Sequence, residues 1–190
     1  METVDSRVLV RSLLVAVAIF AVTLTLGVVT PLNAASGMLE GLIDSLGPLS
    51  SLGPFVLLLL IFANNALKTL GVVVFGPLFG LPPLLFVGLN GFVLGAVVSQ
   101  VAAIEGMEYV VAVLAPHGVL EVPALLLATA LGLMLGRESL RWAARRESHV
   151  RLLLSQSLWL YVRVILPVVA VAALIEVVVS PWLAGFLAGG

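Results

Sequence analysis

Long apolar stretches alternate with short polar segments along this chain, and each stretch stops at or beside a proline or a charged residue. A helix needs about 20 apolar residues to cross the hydrocarbon layer of a bilayer. The first stretch exceeds the apolar part of a cleaved secretory signal, so it is interpreted as a retained anchor. The pattern predicts an all-α, polytopic membrane helix bundle in one domain (residues 1–190), with five transmembrane helices at about 8–30, 55–81, 83–104, 118–136 and 158–179.

Two shorter apolar segments are predicted to be helical without crossing the membrane. Between the first two spans, five apolar residues share one helical face, opposite Glu40 and Asp44, which fits an interfacial helix or a short lid over the bundle. The apolar residues are Met38, Leu39, Leu42, Ile43 and Leu46. The run 109–115, too short to span, predicts a partial re-entrant segment that turns into helix four at Pro116.

The composition places the protein in a membrane. Hydrophobic residues make up 62% of the chain, charged residues only 10%, and the mean hydropathy is +1.25, which excludes an ordinary soluble domain. The absence of cysteine from the sequence excludes disulfides and thiol chemistry.

Arginine predicts the orientation. Arg7 and Arg11 lie at the start of the first span, and five more arginines lie between spans four and five: Arg137, Arg141, Arg145, Arg146 and Arg151. Positive residues favour the cytoplasmic side, and four crossings separate the two groups. We therefore expect a cytoplasmic amino terminus and an external carboxyl terminus in a cell membrane. The five linking arginines are predicted to contact anionic lipid headgroups, and they form no extended basic surface suited to nucleic acid.

Polar residues inside the predicted spans are the candidate functional residues, because such groups are costly in the apolar layer and normally face a partner or water. Counted from the cytoplasmic ends at ~1.5 Å per residue, Lys68 lies ~18 Å deep, Asn90 ~12 Å and Glu121 ~24 Å. We expect Lys68 to pair with Glu121 within a polar core, and Arg163 and Glu176 to lie nearer the interfaces. The predicted polar core consists of Asn64, Asn65, Lys68, Asn90, His117 and Glu121.

His117 and Glu121 are four residues apart and share a helix face, where they could ligate a metal, relay a proton or bond to each other. A zinc hydrolase needs at least three ligands, and His149, the other histidine, is predicted to lie across the membrane. No catalytic triad, phosphate loop or HExxH motif is present. The prediction is a non-enzyme without a metal or cofactor.

Pairs of glycines four residues apart occur in three of the spans. Small residues at this spacing allow close helix approach, so helices two, three and four are predicted to form the tight centre and helices one and five the periphery. Helix two, long for one crossing, is expected to tilt or to break near Asn64, Asn65 or Gly71. The predicted packing residues are Gly76, Gly80, Gly91, Gly95, Gly132 and Gly136.

Several of these motifs occur together in a known family. In order they are Phe62-Ala63-Asn64-Asn65, Gly76 to Gly80, Asn90-Gly91 with Gly95, Pro116-His117-Gly118 with Glu121, and Gly132 to Gly136. Over about residues 55–136 the chain resembles the stage II sporulation protein M family. The resemblance implies a non-catalytic membrane protein that, in spore-forming bacteria, acts as a scaffold for peptidoglycan-degrading partners during engulfment.

Two functional hypotheses follow. The first is a scaffold or assembly subunit that binds other membrane proteins or forms a homo-oligomer, with contacts on small-residue faces of helices one and five. The alternative is a small transporter or channel component, in which the predicted polar core lines a path for ions, protons or a small solute.

Overall fold

The computed structural model describes residues 5–31, 53–145 and 149–188, with the side chains of 112–117, 145 and 180–188 outside the description. All regular structure in these ranges is helical. Five helical stretches are long and apolar enough to cross a membrane, so the protein is a multi-pass membrane protein. The helices are α1 (Ser6–Val29), α2 (Pro54–Val74), α3 (Leu81–Glu105), α4 (Met107–Arg145), α5 (Val150–Leu160), a π-helical turn (Tyr161–Ile165) and α6 (Leu166–Ala188).

The first helix has well-defined ends. The Asp5 side chain accepts a hydrogen bond of 2.9 Å from the backbone N–H of Arg7, which satisfies one of the free donors of the first turn. α1 ends at Val29, before Pro31, which disfavours helical backbone in the preceding residue. The predicted interfacial helix at residues 38–46 lies outside the described residues.

Span two is shorter than predicted. α2 ends at Val74 and runs unbroken through Asn64, Asn65 and Gly71, so the expected break within the helix is not found. Residues 75–80 form a series of turns in which Phe79 and Gly80 have φ angles of 56° and 75°. Glycine adopts this left-handed region without steric cost, which allows the chain to reverse before α3.

The fourth span belongs to one continuous helix of 39 residues. At ~1.5 Å per residue it is ~58 Å long, nearly twice the hydrocarbon thickness. Residues 109–115 form its early turns, and the re-entrant segment predicted there is not shown. Its other end continues past Arg137 and Arg141, as the four-residue spacing of the arginines suggests.

α4 occupies the centre of the bundle. Half of its most apolar window is buried, against 22–28% in the other spans. It contacts α1 and α3 as well as α2, α5 and α6. Its buried face packs with span five in the main hydrophobic core, which includes Ala124, Ala128, Leu131, Leu135, Tyr161, Ile165 and Val169.

The closest packing between two spans joins α1 and α3. A Cβ built on Gly95 would overlap the carbonyl oxygen of Leu24, and one built on Gly27 would overlap that of Phe92. Backbones in such contact leave no room for side chains. The prediction that close packing is confined to helices two, three and four is therefore wrong, because α1 packs tightly on α3 through Gly27. Even so, only 22% of the most apolar window of α1 is buried.

The remaining predicted glycine pairs meet each other. A Cβ on Gly76 would lie 2.6 Å from the Gly132 carbonyl oxygen, and one on Gly136 would overlap the backbone of Gly80. These contacts hold the turns at residues 75–80 against α4. Gly80 therefore lies at the same level as Gly136, one residue before the first arginine of the link.

Candidate functional site

The polar residues of α2 do not share one environment. Asn65 is buried, whereas Asn64 and Lys68 are exposed on the outer surface of the bundle. Nδ2 of Asn64 donates a 3.2 Å hydrogen bond to Oδ1 of Asn65. Lys68 makes no hydrogen bond or ion pair with another described residue, so the predicted pair with Glu121 is not formed.

The backbone carbonyl of Asn65 belongs to a buried network between α2 and the π-helical turn. Oγ1 of Thr69 donates 2.7 Å to the carbonyl oxygen of Asn65 and lies 3.3 Å from the Tyr161 hydroxyl. That hydroxyl donates 2.7 Å to the carbonyl oxygen of Ala66. A hydrogen bond across helices in an apolar layer fixes their relative height. Tyr161 therefore sets the level of α2 against span five.

The sequence pattern does not predict this network, because it misplaces the start of span five. With span five predicted from residue 158, Tyr161 would lie at the membrane interface, where tyrosine is common. The helix instead begins at Val150, so Tyr161 lies well inside the span. Thr69, one turn after Asn65, was the available signal for a second polar partner.

The other predicted polar residues lie elsewhere. Nδ2 of Asn90 donates 2.8 Å to the carbonyl oxygen of Phe86 in the same helix. Glu121 is half-buried, with Oε2 fully buried, and the His117 side chain lies outside the described residues. No group of three or more potential metal ligands occurs among the described side chains.

A second cation is exposed within span five. The guanidinium carbon of Arg163 lies 4.1 Å from the ring centroid of Trp159, a cation–π contact one turn away on the helix. Lys68 lies two residues after Ala66, and Arg163 lies two residues after Tyr161. Because the Tyr161 hydroxyl binds the Ala66 carbonyl, the two cations lie within ~6 Å of each other in depth. Lys68 differs in this respect, because it makes no such contact with an aromatic ring among the described residues.

The arginine-rich end of the bundle carries a polar groove of about 280 Å³. Within it Glu138 contacts two nitrogen-bearing side chains: Oε2 lies 3.3 Å from Nη1 of Arg141, and Oε1 lies 3.5 Å from Nδ1 of His149. Arg137 and Arg151 are exposed nearby, whereas Arg146 and the Arg145 side chain lie outside the described residues. Polar residues lining the groove are Asp5, Arg137, Glu138, Arg141, His149 and Gln156.

Comparison with known families identifies the chain. The family model for stage II sporulation protein M matches residues 12–181. The chain belongs to this family. The match extends the resemblance seen over residues 55–136 to all five spans, including α1 and span five. No curated protein and no solved structure is significantly similar to the chain.

The residues shared with the family are spread through the bundle and do not form one site. The residues that carried the resemblance have separate structural positions: Asn65 beside the Tyr161 network, to which it contributes its backbone carbonyl, Gly91 and Gly95 against α1, and Gly132 and Gly136 against the turns at residues 75–80. Among the predicted polar residues, Asn64 and Lys68 face outward, whereas Asn90 bonds within its own helix.

Proposed function

We propose that this protein is a non-catalytic scaffold or assembly subunit that holds other membrane proteins. The observation that carries the proposal is the exposure of Lys68 and Asn64 on the outer surface of α2. Polar groups at this depth are stable when they face a partner or water. An outward position favours a protein partner over a conducting path through the centre of the bundle.

The remaining predicted residues take supporting roles in this proposal. The six glycines allow close packing, and Asn65 and Asn90 satisfy polar groups within the bundle. The arginines of the link between α4 and α5 contact anionic headgroups on the cytoplasmic side, so that the amino terminus is cytoplasmic and the carboxyl terminus external. The whole chain acts as one membrane domain.

Packing also favours a static role. The backbone contacts of α1 with α3, and of α4 with the turns at residues 75–80, leave little freedom for helices to slide. Transport by alternating access requires one part of a bundle to rock against another. A tightly packed centre with polar groups on its outer surface suits assembly better.

The proposal is tested by quantitative crosslinking in native membranes followed by purification in mild detergent. We expect a membrane protein present in a fixed stoichiometry, whose level falls when the gene for this chain is deleted and returns when the chain is supplied again. A homo-oligomer without such a partner, which conducts ions or solutes in liposomes, would replace the scaffold with the transporter alternative.

A further inference from the structure

The polar face of α2 lies too deep for its lysine to reach either membrane surface. Lys68 is six residues before Val74, the last residue of α2, which is about 9 Å along the axis. The turns that follow pack beside Gly132 of α4, and Gly132 is a further five residues, or ~7.5 Å, from Arg137 at the arginine-rich surface. Towards the other surface, 14 residues or ~21 Å separate Lys68 from Pro54. A lysine side chain extends only about 6 Å.

The direction of the side chain makes escape harder. Every Cα–Cβ bond in a helix tilts towards the amino-terminal end of that helix. For α2 this direction leads away from Val74 and from the nearer, arginine-rich surface. The ammonium group of Lys68 therefore remains exposed to lipid in the apolar layer unless another molecule covers it.

The surroundings of Lys68 have the form of a helix-packing surface. Leu60, Asn64, Leu67 and Lys68 are all exposed and recur at three- and four-residue spacing, which places them on one face. Gly71 continues this face, and a Cβ there would meet only the Phe75 ring, at 3.9 Å. We call this surface, made of Leu60, Asn64, Leu67, Lys68 and Gly71, the Lys68 face.

Charge decides which partner the face suits. A second copy would bring another Lys68 face with the same positive charge. The carboxylates well inside the described spans, Glu121 and Glu176, are half-buried within their own bundle. A lipid phosphate remains at the membrane surface, beyond the reach of Lys68. The partner that suits Lys68 is therefore an anionic side chain that a helix of another protein carries into the apolar layer.

We infer that the Lys68 face binds a membrane-spanning helix of another protein that carries a carboxylate near the middle of its span. The carboxylate accepts hydrogen bonds from the Lys68 ammonium group. The Asn64 amide provides a second polar contact: its Nδ2 is bound to Asn65, and Oδ1 makes no hydrogen bond with a described residue. Leu60 and Leu67, one before and one after Asn64 along the helix, supply apolar contacts. This inference rests on the proposed scaffold function and names its surface and partner chemistry.

The test uses model peptides. Three polyleucine transmembrane peptides, with Asp, Asn or Leu at the central position, are reconstituted with the protein in phosphatidylcholine vesicles. Because the sequence has no cysteine, a donor dye is attached through Leu140→Cys, and energy transfer to labelled peptide measures binding. We expect the Asp peptide to bind at least ~10-fold more tightly than the Asn and Leu peptides.

Variants assign the binding to this face. Lys68→Met should reduce Asp-peptide binding to the level of the Leu peptide, and Lys68→Arg should retain the preference. Arg163→Met is the matched control, since it removes an exposed cation of similar depth outside the Lys68 face. Equal binding of all three peptides, or an equal loss in Arg163→Met, overturns the inference.

The outcome is separable from that of the proposed function. A native partner that stays stoichiometrically bound to the Lys68→Met variant leaves the scaffold role intact and overturns the Lys68 face as its surface. Asp-peptide binding that depends on Lys68, in membranes that yield no native partner, supports the face and contradicts the scaffold role.

Discussion

The hydroxyl of Tyr161 donates a 2.7 Å hydrogen bond to the carbonyl oxygen of Ala66, and this bond joins span five to α2 inside the membrane. Tyr161 is 3% exposed, so water does not compete for the bond. The acceptor already belongs to a helical turn, and its second lone pair takes the hydroxyl. The bond therefore aligns the two helices without disrupting either.

Replacement of Tyr161 by phenylalanine removes this bond and keeps the ring in the hydrophobic core. Hydrogen bonds between membrane helices average about 0.6 kcal/mol and reach about 1.7 kcal/mol, so we expect Tyr161→Phe to lower the free energy of unfolding by roughly 0.5–1.5 kcal/mol. Unfolding in detergent mixtures of rising SDS content measures the change. Tyr109→Phe is the control, because the half-buried Tyr109 makes no hydrogen bond with a described residue. Equal losses in both variants would contradict the role of the bond.

The sequence was sufficient to predict the spans but not the faces of the helices. Apolar length predicts that five helices cross, because lipid requires about 20 apolar residues. The stop signals are less exact: α1 ends before Pro31, but α2 ends at Val74, well before Pro82, and α4 continues past Arg137. The rotation of each helix about its axis, which decides the buried face, is harder to predict. Lipid is as apolar as a protein interior, so α3 shows no contrast between its buried and lipid-facing sides, and depth alone suggested that Lys68 and Glu121 meet.

The glycine pairs illustrate the same limit. Their spacing correctly indicates close approach, but it names no partner, and Gly91 and Gly95 pack on α1 instead of on a neighbouring central helix. The turns at residues 75–80 were not predicted for another reason. Their apolar composition favours a continued membrane helix, and only the combination of Gly76, Pro77 and Gly80 indicates turns.

The packing of α1 on α3 predicts a sharp difference between two glycines of one helix. A Cβ at Gly95 would overlap the Leu24 carbonyl and lie 2.9 Å from the Val28 nitrogen, both backbone groups, whereas at Gly88 the nearest atom is the Thr23 methyl carbon at 3.7 Å. Overpacking typically costs about 1–3 kcal/mol, and a helical glycine replaced by alanine without a clash gains about 0.5–1 kcal/mol.

We therefore expect Gly95→Ala to destabilise the protein by at least ~1 kcal/mol and Gly88→Ala to be neutral or stabilising. The same SDS unfolding assay compares the two variants side by side. If both lower stability equally, the close contact between α1 and α3 is not present in the membrane.

The exposed position of Lys68 predicts that this residue makes membrane insertion of α2 less favourable. A lysine at the helix centre costs about 2.5–3.5 kcal/mol on the scale of apparent insertion free energies. Lys68 is four residues from the centre of the segment Pro54–Val74, so Lys68→Met should make insertion of that segment more favourable by up to about that amount. Glycosylation mapping of the segment in a reporter protein measures this value. Lys68→Arg should leave it nearly unchanged, and a Met variant that inserts no better than wild type would place Lys68 outside the apolar layer.

The proposed orientation places the two ends of α4 on opposite sides of the membrane, and the cysteine-free sequence makes this measurable. Met107 and Leu140 are both exposed, at 57% and 54%, and they are 33 residues or ~50 Å apart along one helix. A membrane-impermeant maleimide added to intact cells should label Met107→Cys, and should label Leu140→Cys only after permeabilisation, since arginines favour the cytoplasmic side. Reversed labelling would invert the topology, and labelling of both from outside would mean that α4 does not cross the membrane. The cysteine-free parent chain gives the background, because any signal there comes from other proteins.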